Sequence, residues 1–209
     1  MLGVFGGTFD PVHYGHLKPA QAVMQALKLS QLRFIPNRVP PHRAPPWLPV
    51  EQRQALLELA LQDYPAFILD TRELQRGGPS YMVDTLESLQ EDFTGETLCL
   101  ILGLDAFAGF TQWHQWARIL TLSHLVVTQR PGFDWSATLK TLDSALARKI
   151  TSQPDDLHIQ AAGRILLQSA PQLPISSTLI RQRVQRGESV ADLMPEKAVQ
   201  QLMRFLQHD

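Results

Sequence analysis

The sequence has a single cysteine, Cys99, among 209 residues, so no internal disulfide can form and nothing marks an oxidising compartment. It also lacks a charge excess of either sign: 19 Lys plus Arg stand against 20 Asp plus Glu, a formal net charge of −1. A general polyanion binder carries a basic surplus that displaces counterions, so any phosphate site here must be local, and no nucleic acid polymer is expected as a partner. No apolar run reaches the ~18 residues a membrane span needs, and the start MLGVFGGTFDP has neither the basic nor the apolar segment of a signal peptide. No membrane partner and a cytoplasmic location are therefore expected. A GxxxxGK[ST] P-loop, a GxGxxG turn, an HExxH helix and any Cys/His cluster are missing too. Their absence weakens ATPase, dehydrogenase and zinc hydrolase readings and predicts no protein-held metal.

What is present is an ordinary globular composition, 44% apolar, at a length that predicts one domain on the scale of roughly 100 to 200 residues each. Short apolar runs alternate with segments of helical period, the pattern of an α/β fold: a Rossmann-like open parallel sheet with helices on both faces. Strands are predicted at Leu2 to Phe5, Leu32 to Ile35, Phe67 to Leu69, Leu98 to Leu102, Leu125 to Thr128 and Ile165 to Gln168. The continuous apolar run Leu98 to Leu102 reads as a central strand, with Cys99 as a small core residue rather than a nucleophile. Helical spacing is carried by Leu17, Ala20, Val23, Met24 and Leu27, by Val50 to Gln62, by Val83, Leu86 and Leu89, by Ser136 to Lys149, and by Ser177 to Gln185 and Pro195 to Gln207. Residues 1–209 thus form a single domain in this reading, with 175–209 as its small helical C-terminal part. A proline-rich loop, Pro36 to Pro49, is expected to border the site.

The informative segment is GGTFDPVHYGH, Gly6 to His16, between the first strand and the first helix. Glycines there let backbone approach a ligand, and the following helix start offers N–H groups to an anion. His13 and His16, three residues apart, project from one face if both lie on the first helical turn, so two imidazoles converge on a phosphate. Near the other end, ISSTLIR places Ser177 and Thr178 at a helix start and Arg181 one turn on. Hydroxyls there either cap the helix or grip phosphate, and spacing alone does not choose; Arg181 can offer a planar fork to the same anion. Asp105, at the C-terminal end of the central strand, is placed to accept from a ribose hydroxyl or to cap a helix.

The string GGTFDPVHYGH resembles the HxGH signature of the nucleotidylyltransferase superfamily and, in full, the bacterial nicotinate-nucleotide adenylyltransferase family. Further matches run over nearly the whole chain: PNRVPPHR, PSYMVDTL, GLDAFAGFTQWHQW, RPG and ISSTLIR. The resemblance implies adenylyl transfer from ATP to nicotinate mononucleotide in NAD biosynthesis, with Mg²⁺ arriving on ATP. It assigns catalysis to His13, His16 and Arg181, and ATP contacts to these three with Gly6, Gly7, Thr8, Phe9, Gly103, Asp105, Ser176, Ser177 and Thr178. Thr8, His42, Arg43, Thr85, Trp113 and Arg130 fall to the pyridine nucleotide, Trp113 as a stacking surface. The chain departs from the pattern with Arg43 for a common lysine, Met82 for a threonine and His114 for an aromatic residue. Ser80 and Tyr81 are equally explained by capping and core filling, and Phe107 and Trp116 by packing. Competing readings are a nicotinamide-mononucleotide or other small-substrate nucleotidylyltransferase, and a nucleotide-binding regulator without turnover. Oligomeric state is not legible.

Overall fold

The computed structural model describes residues 1–39, 45–129, 135, 140, 142–171 and 173–207. In chain order the elements are β1 (Leu2–Gly7), α1 (Tyr14–Ala26), β2 (Gln31–Pro36), α2 (Val50–Leu61), β3 (Phe67–Leu69), α3 (Arg72–Gln75) and α4 (Met82–Asp92). They continue with β4 (Leu98–Gly103), α5 (Leu104–Ala108), α6 (Trp116–Leu122), β5 (His124–Thr128), α7 (Ser144–Ala147), β6 (Ile150–Thr151), β7 (Ile165–Gln168), α8 (Ser177–Gln185) and α9 (Glu196–Gln207). Short 3-10 turns cover Phe110–Gln112 and Pro154–His158.

All seven strands pair in parallel, in the order β3-β2-β1-β4-β5-β7-β6, so β4 is central as its apolar run predicts. Strand side chains alternate between faces. In β4, Cys99 and Ile101 join one core with α1, α2, α8 and α9, while Leu98, Leu100 and Leu102 join another with α4, α5 and α6. Both faces are therefore covered, which is why this strand shows no polar alternation. The C-terminal helices α8 and α9 contribute Ile180, Ala198 and Leu202 to the first core.

The chain winds outward from β1 through β2 to β3, then crosses back to lay β4 on the other side of β1. Such a switch point opens a crevice beyond the carboxyl ends of the two strands, here at Gly7 and Gly103.

Several expectations are refined. The single helix expected over Ser136 to Lys149 is not continuous: residues 136–139 and 141 lie outside the described residues, Leu142 and Asp143 are not helical, and α7 starts afresh at Ser144 behind Asp143, whose carboxylate accepts the Ala145 N–H at 2.7 Å. Ser80 does not cap α4: Tyr81 is the N-cap residue, and the Ser80 Oγ accepts the Arg38 N–H instead. The two-residue β6 and the short helices α3, α5 and α6 escape a periodicity reading because they span too few turns to set a pattern.

Candidate active site

The loop after β1 is held rigid from beneath. Phe9 adopts φ 48, a left-handed conformation that costs a non-glycine residue about 1–3 kcal/mol. Its buried ring packs edge-on to Phe5 and His16, with centroids 5.8 and 5.2 Å away, and that packing holds the strained backbone. Gly7, two residues earlier, leaves that ring its place: a Cβ there would meet the Phe9 ring at 3.1 Å and the ring would have to shift. The Asp10 carboxylate accepts the backbone N–H groups of Trp47 and Leu48 at 2.7 and 2.9 Å, tying the end of the proline-rich loop to this turn.

His13 is the N-cap residue of α1 and buried; His16 lies on the first turn, half-buried. Their rings stack with centroids 3.7 Å apart, so the i, i+3 convergence read from the sequence is present. The His16 Nδ1 accepts the His13 backbone N–H at 3.3 Å, which places the proton of a neutral ring on Nε2 as a donor. Gly15, between them, has a steric reason of its own: a Cβ would sit 2.9 Å from the Ile175 carbonyl oxygen. The small residue lets the segment before α8 close onto the first turn of α1.

In that segment the three hydroxyls take different protein partners. Ser176 is the cap, its Oγ accepting the Leu179 N–H at 3.1 Å. Ser177 donates its hydroxyl to the Pro11 carbonyl at 3.0 Å. Arg181 donates from one guanidinium nitrogen to the Asp10 carbonyl at 2.7 Å and from the other to the Thr178 hydroxyl at 3.1 Å, with the Asp10 carboxylate 3.6 Å away. Residues more than 160 positions apart are thereby locked together. The outcome is a cavity of about 590 Å³ whose wall includes Gly6, Gly7, Thr8, Phe9, His13, His16, Gly103, Asp105, Ser176, Ser177, Thr178 and Arg181. Every residue that the resemblance assigns to ATP faces this one space.

A second cavity, of about 430 Å³, adjoins it across a shared ridge of Gly6, Gly7, Thr8, Asp105 and Ala106. Its far wall is aromatic: Trp113, and Tyr81 stacked on His114 with centroids 4.2 Å apart. Asp105 lies in the first turn of α5 behind the Gly103 N-cap, so capping is not its role. Phe107 and Trp116 pack into the second core, as expected. Thr85 requires a correction: it is fully buried and lines neither cavity. Its hydroxyl donates to the Glu73 carboxylate at 2.6 Å, which turns it inward behind the wall. His42, Arg43 and Arg130 lie outside the described residues.

The buried charges Arg53 and Glu73, both beside the cavities, escaped the sequence reading. Arg53, on α2 and 1% exposed, donates to the Thr8 carbonyl at 2.7 Å and the Asn37 carbonyl at 2.9 Å, bracing both cavities from below. Burial lowers its pKa while Asp10 and Glu51 pull it up. Glu73, on α3 and 3% exposed, lines the second cavity. Burial raises its pKa, opposed by hydrogen bonds from Thr85 and Ser80 and by the Arg76 charge, with Asp70 adding to the rise. Cys99 is inert, its thiol pushed up to about 12 by burial in the core.

Among the described residues no group of three or more His, Cys, Asp or Glu side chains is arranged to hold a metal, and no helix is long and apolar enough to cross a membrane. The sequence profile of the cytidylyltransferase-like family matches residues 4–183. The nicotinate-nucleotide adenylyltransferase of Salmonella typhimurium is 46% identical over 200 residues, spanning 95% of this chain and 94% of that protein. The probable nicotinate-nucleotide adenylyltransferase of Halorhodospira halophila is 46% identical over 202 residues, 97% of this chain and 92% of that protein. In structure, the Plasmodium falciparum nicotinic acid mononucleotide adenylyltransferase complexed with NaAD superposes with a TM-score of 0.73 at 14% identity, covering 98% and 95% of the two chains. At that identity the superposition establishes the fold, and the sequence relatives supply the rest. With 46% identity held across nearly its full length and the HxGH loop folded onto the α8 start, the chain belongs to the cytidylyltransferase-like family and, within it, to the nicotinate-nucleotide adenylyltransferases.

Proposed function

We propose that this protein transfers the adenylyl group of ATP to the 5′-phosphate of nicotinate mononucleotide, giving deamido-NAD and pyrophosphate in NAD biosynthesis. One observation carries the reading: His13, His16 and Arg181 line a single cavity that opens, over a glycine ridge, into an aromatic-walled neighbour. The first space suits a triphosphate with its adenosine and the second a pyridine nucleotide, so the two phosphates meet at Gly6 to Thr8. The relatives named above carry the same activity in their names.

In the reaction, an oxygen of the mononucleotide phosphate forms a bond to the α-phosphorus of ATP. The bond from that phosphorus to the bridging oxygen breaks, and its electron pair leaves with pyrophosphate. An ionised phosphate is already a nucleophile, so no side chain has to remove a proton; alignment and charge neutralisation are what remain to be supplied. The His16 Nε2–H and the His13 ring act on the reacting phosphates. Arg181 and the Thr178 hydroxyl bind the outer phosphates, an interaction that requires the guanidinium to share the fork it now gives to Asp10 and Thr178.

Mg²⁺ fits this donor set as a companion of the triphosphate. Such an ion takes one or two carboxylates and otherwise keeps phosphate oxygens and waters. Asp105, on the ridge that both cavities share, would be the carboxylate to hold it where the two substrates' phosphates come together. When bound, the ion neutralises charge on the phosphate oxygens. A buried, unreactive Cys99 suits a reducing cytoplasm.

The test offers purified protein ATP and Mg²⁺ with nicotinate or nicotinamide mononucleotide, separately, and resolves the products while following pyrophosphate. Deamido-NAD formed from the nicotinate substrate in clear preference supports the proposal. Preferential NAD formation from the amide, or nucleotide binding without pyrophosphate release, overturns it in favour of an amide-using enzyme or of a regulator.

A further inference from the structure

Glu73 is an acidic side chain buried where a carboxylate is costly unless its oxygens are satisfied. It accepts the Thr85 hydroxyl at 2.6 Å, and the Ser80 side chain helps to offset the cost of burying its charge. Ser80 and Thr85 flank Tyr81. Ser80 precedes it in the chain and is itself pinned, its Oγ accepting the Arg38 N–H at 3.0 Å and its own N–H donating to the Val39 carbonyl at 3.2 Å. Thr85 follows one helical turn later, its N–H donating to the Tyr81 carbonyl at 3.4 Å. Arg76 closes the ring by donating to the Tyr81 carbonyl at 3.3 Å and to the Thr85 Oγ1 at 3.2 Å. The single Thr85 proton goes to Glu73 and its oxygen lone pair to Arg76. Thr85 therefore has no proton left for a ligand.

We infer that Glu73 is a positioning residue for the pyridine nucleotide: by holding the Thr85 hydroxyl, which Arg76 ties to the Tyr81 carbonyl, it fixes Tyr81, and through the Tyr81–His114 stack it sets the outer wall of the second cavity. Thr85 acts through the same network and not by contact. Glu73 and Thr85 are both buried, and the 2.6 Å contact between them outcompetes the Tyr81 carbonyl, 3.4 Å from the same hydroxyl, so this pair favours one arrangement. The effect is confined to one substrate, because no residue of this network lines the phosphate cavity. The inference rests on the assignment of the second cavity to nicotinate mononucleotide.

Glu73→Gln keeps the shape but presents an amide N–H to a hydroxyl that needs an acceptor, and it removes the charge facing Arg76. Thr85→Val deletes the donor, whereas Thr85→Ser retains it. Glu73→Gln and Thr85→Val should each raise KM for nicotinate mononucleotide about fivefold or more, the consequence of losing one net hydrogen bond. kcat and KM for ATP should move less than about twofold, and Thr85→Ser should stay close to the parent. Unchanged KM for the mononucleotide in folded variants, a parallel rise in KM for ATP, or Thr85→Ser as damaging as Thr85→Val overturns the inference. If Glu73→Gln does not fold, the Thr85 pair decides alone. A parent enzyme that does not turn over nicotinate mononucleotide sinks the functional assignment instead, so the two failures are distinguishable.

Discussion

The two cavities share a ridge but are built by opposite means. The cavity assigned to the triphosphate takes its polar groups chiefly from two contiguous stretches, residues 6–16 and 176–181, clamped by hydrogen bonds from Ser177 and Arg181 to the Asp10–Pro11 turn. Its neighbour gathers Asn37, Glu73, Tyr81, Trp113 and His114 from four separate segments, with its shape set by buried charges underneath. A phosphate group is common to many substrates and can be met by a short, rigid loop; a pyridine ring has to be met by a wall. Changes to the first region should therefore strike kcat, and changes to the second should strike the affinity for one substrate.

The largest effect is expected at His16. Removing a donor that acts on the reacting phosphates, as in His16→Ala, should lower kcat by about 10²–10³-fold, the loss typical of an oxyanion-stabilising group. ATP affinity should change far less. Steady-state kinetics at saturating nucleotide read this directly, and equal loss in KM and kcat would erase the contrast between the regions.

Arg53 comes next and breaks the contrast from below, because it braces both cavities. Arg53→Met leaves the Thr8 and Asn37 carbonyls without their donors and should destabilise the fold by about 2–3 kcal/mol in denaturant titration. Both KM values should rise together, unlike the split expected for Glu73 variants. A variant as stable as the parent would mean that the loop holds itself.

Trp113→Ala sharpens the contrast. Loss of a stacking surface worth about 1–3 kcal/mol should raise KM for the mononucleotide roughly tenfold and leave KM for ATP alone. Isothermal binding of each nucleotide separately checks it, and weakened ATP binding would place the ring in the wrong cavity.

The smallest effect lies at the opposite end of β5. His124 is buried, its Nδ1 accepting the Arg164 N–H at 3.0 Å and its Nε2 facing the Gln160 carbonyl at 2.9 Å. Burial lowers its pKa. The unfolded chain takes up this proton first as pH falls, so the stability that the neutral ring contributes is complete above an unfolded value of about 6.5 and is lost below it, down to the folded value. Melting temperature between about pH 8 and pH 5 should fall less steeply in His124→Asn than in the parent, with catalysis at neutral pH unaffected. Identical slopes would show that the ring is not buried neutral.

The same contrast explains what could be read in advance. GGTFDPVHYGH and ISSTLIR are contiguous, and their chemistry is local: a glycine turn, a helix start, two imidazoles one turn apart. The bounds of α8 agree with its sequence period at both ends. Arg53 and Glu73 sit in stretches, VEQRQALL and TRELQRGG, where a charged residue reads as solvated surface, and only the tertiary fold buries them. A signal was present for Arg53: it lies three residues before Leu56 on the same helical face and so shares that residue's direction. Thr85 was drawn toward the pocket by resemblance alone, whereas its position in α4 turns it toward the buried Glu73 carboxylate.

The central claim is that groups from the two ends of the chain act on one triphosphate. A double-mutant cycle with His16→Ala and Arg181→Lys, scored on kcat/KM for ATP, tests it most directly. Groups working on one charge distribution should show losses that fail to add, with a coupling of about 0.5–3 kcal/mol. Losses that add to within about 0.3–0.5 kcal/mol would mean that the imidazole and the guanidinium serve separate sites.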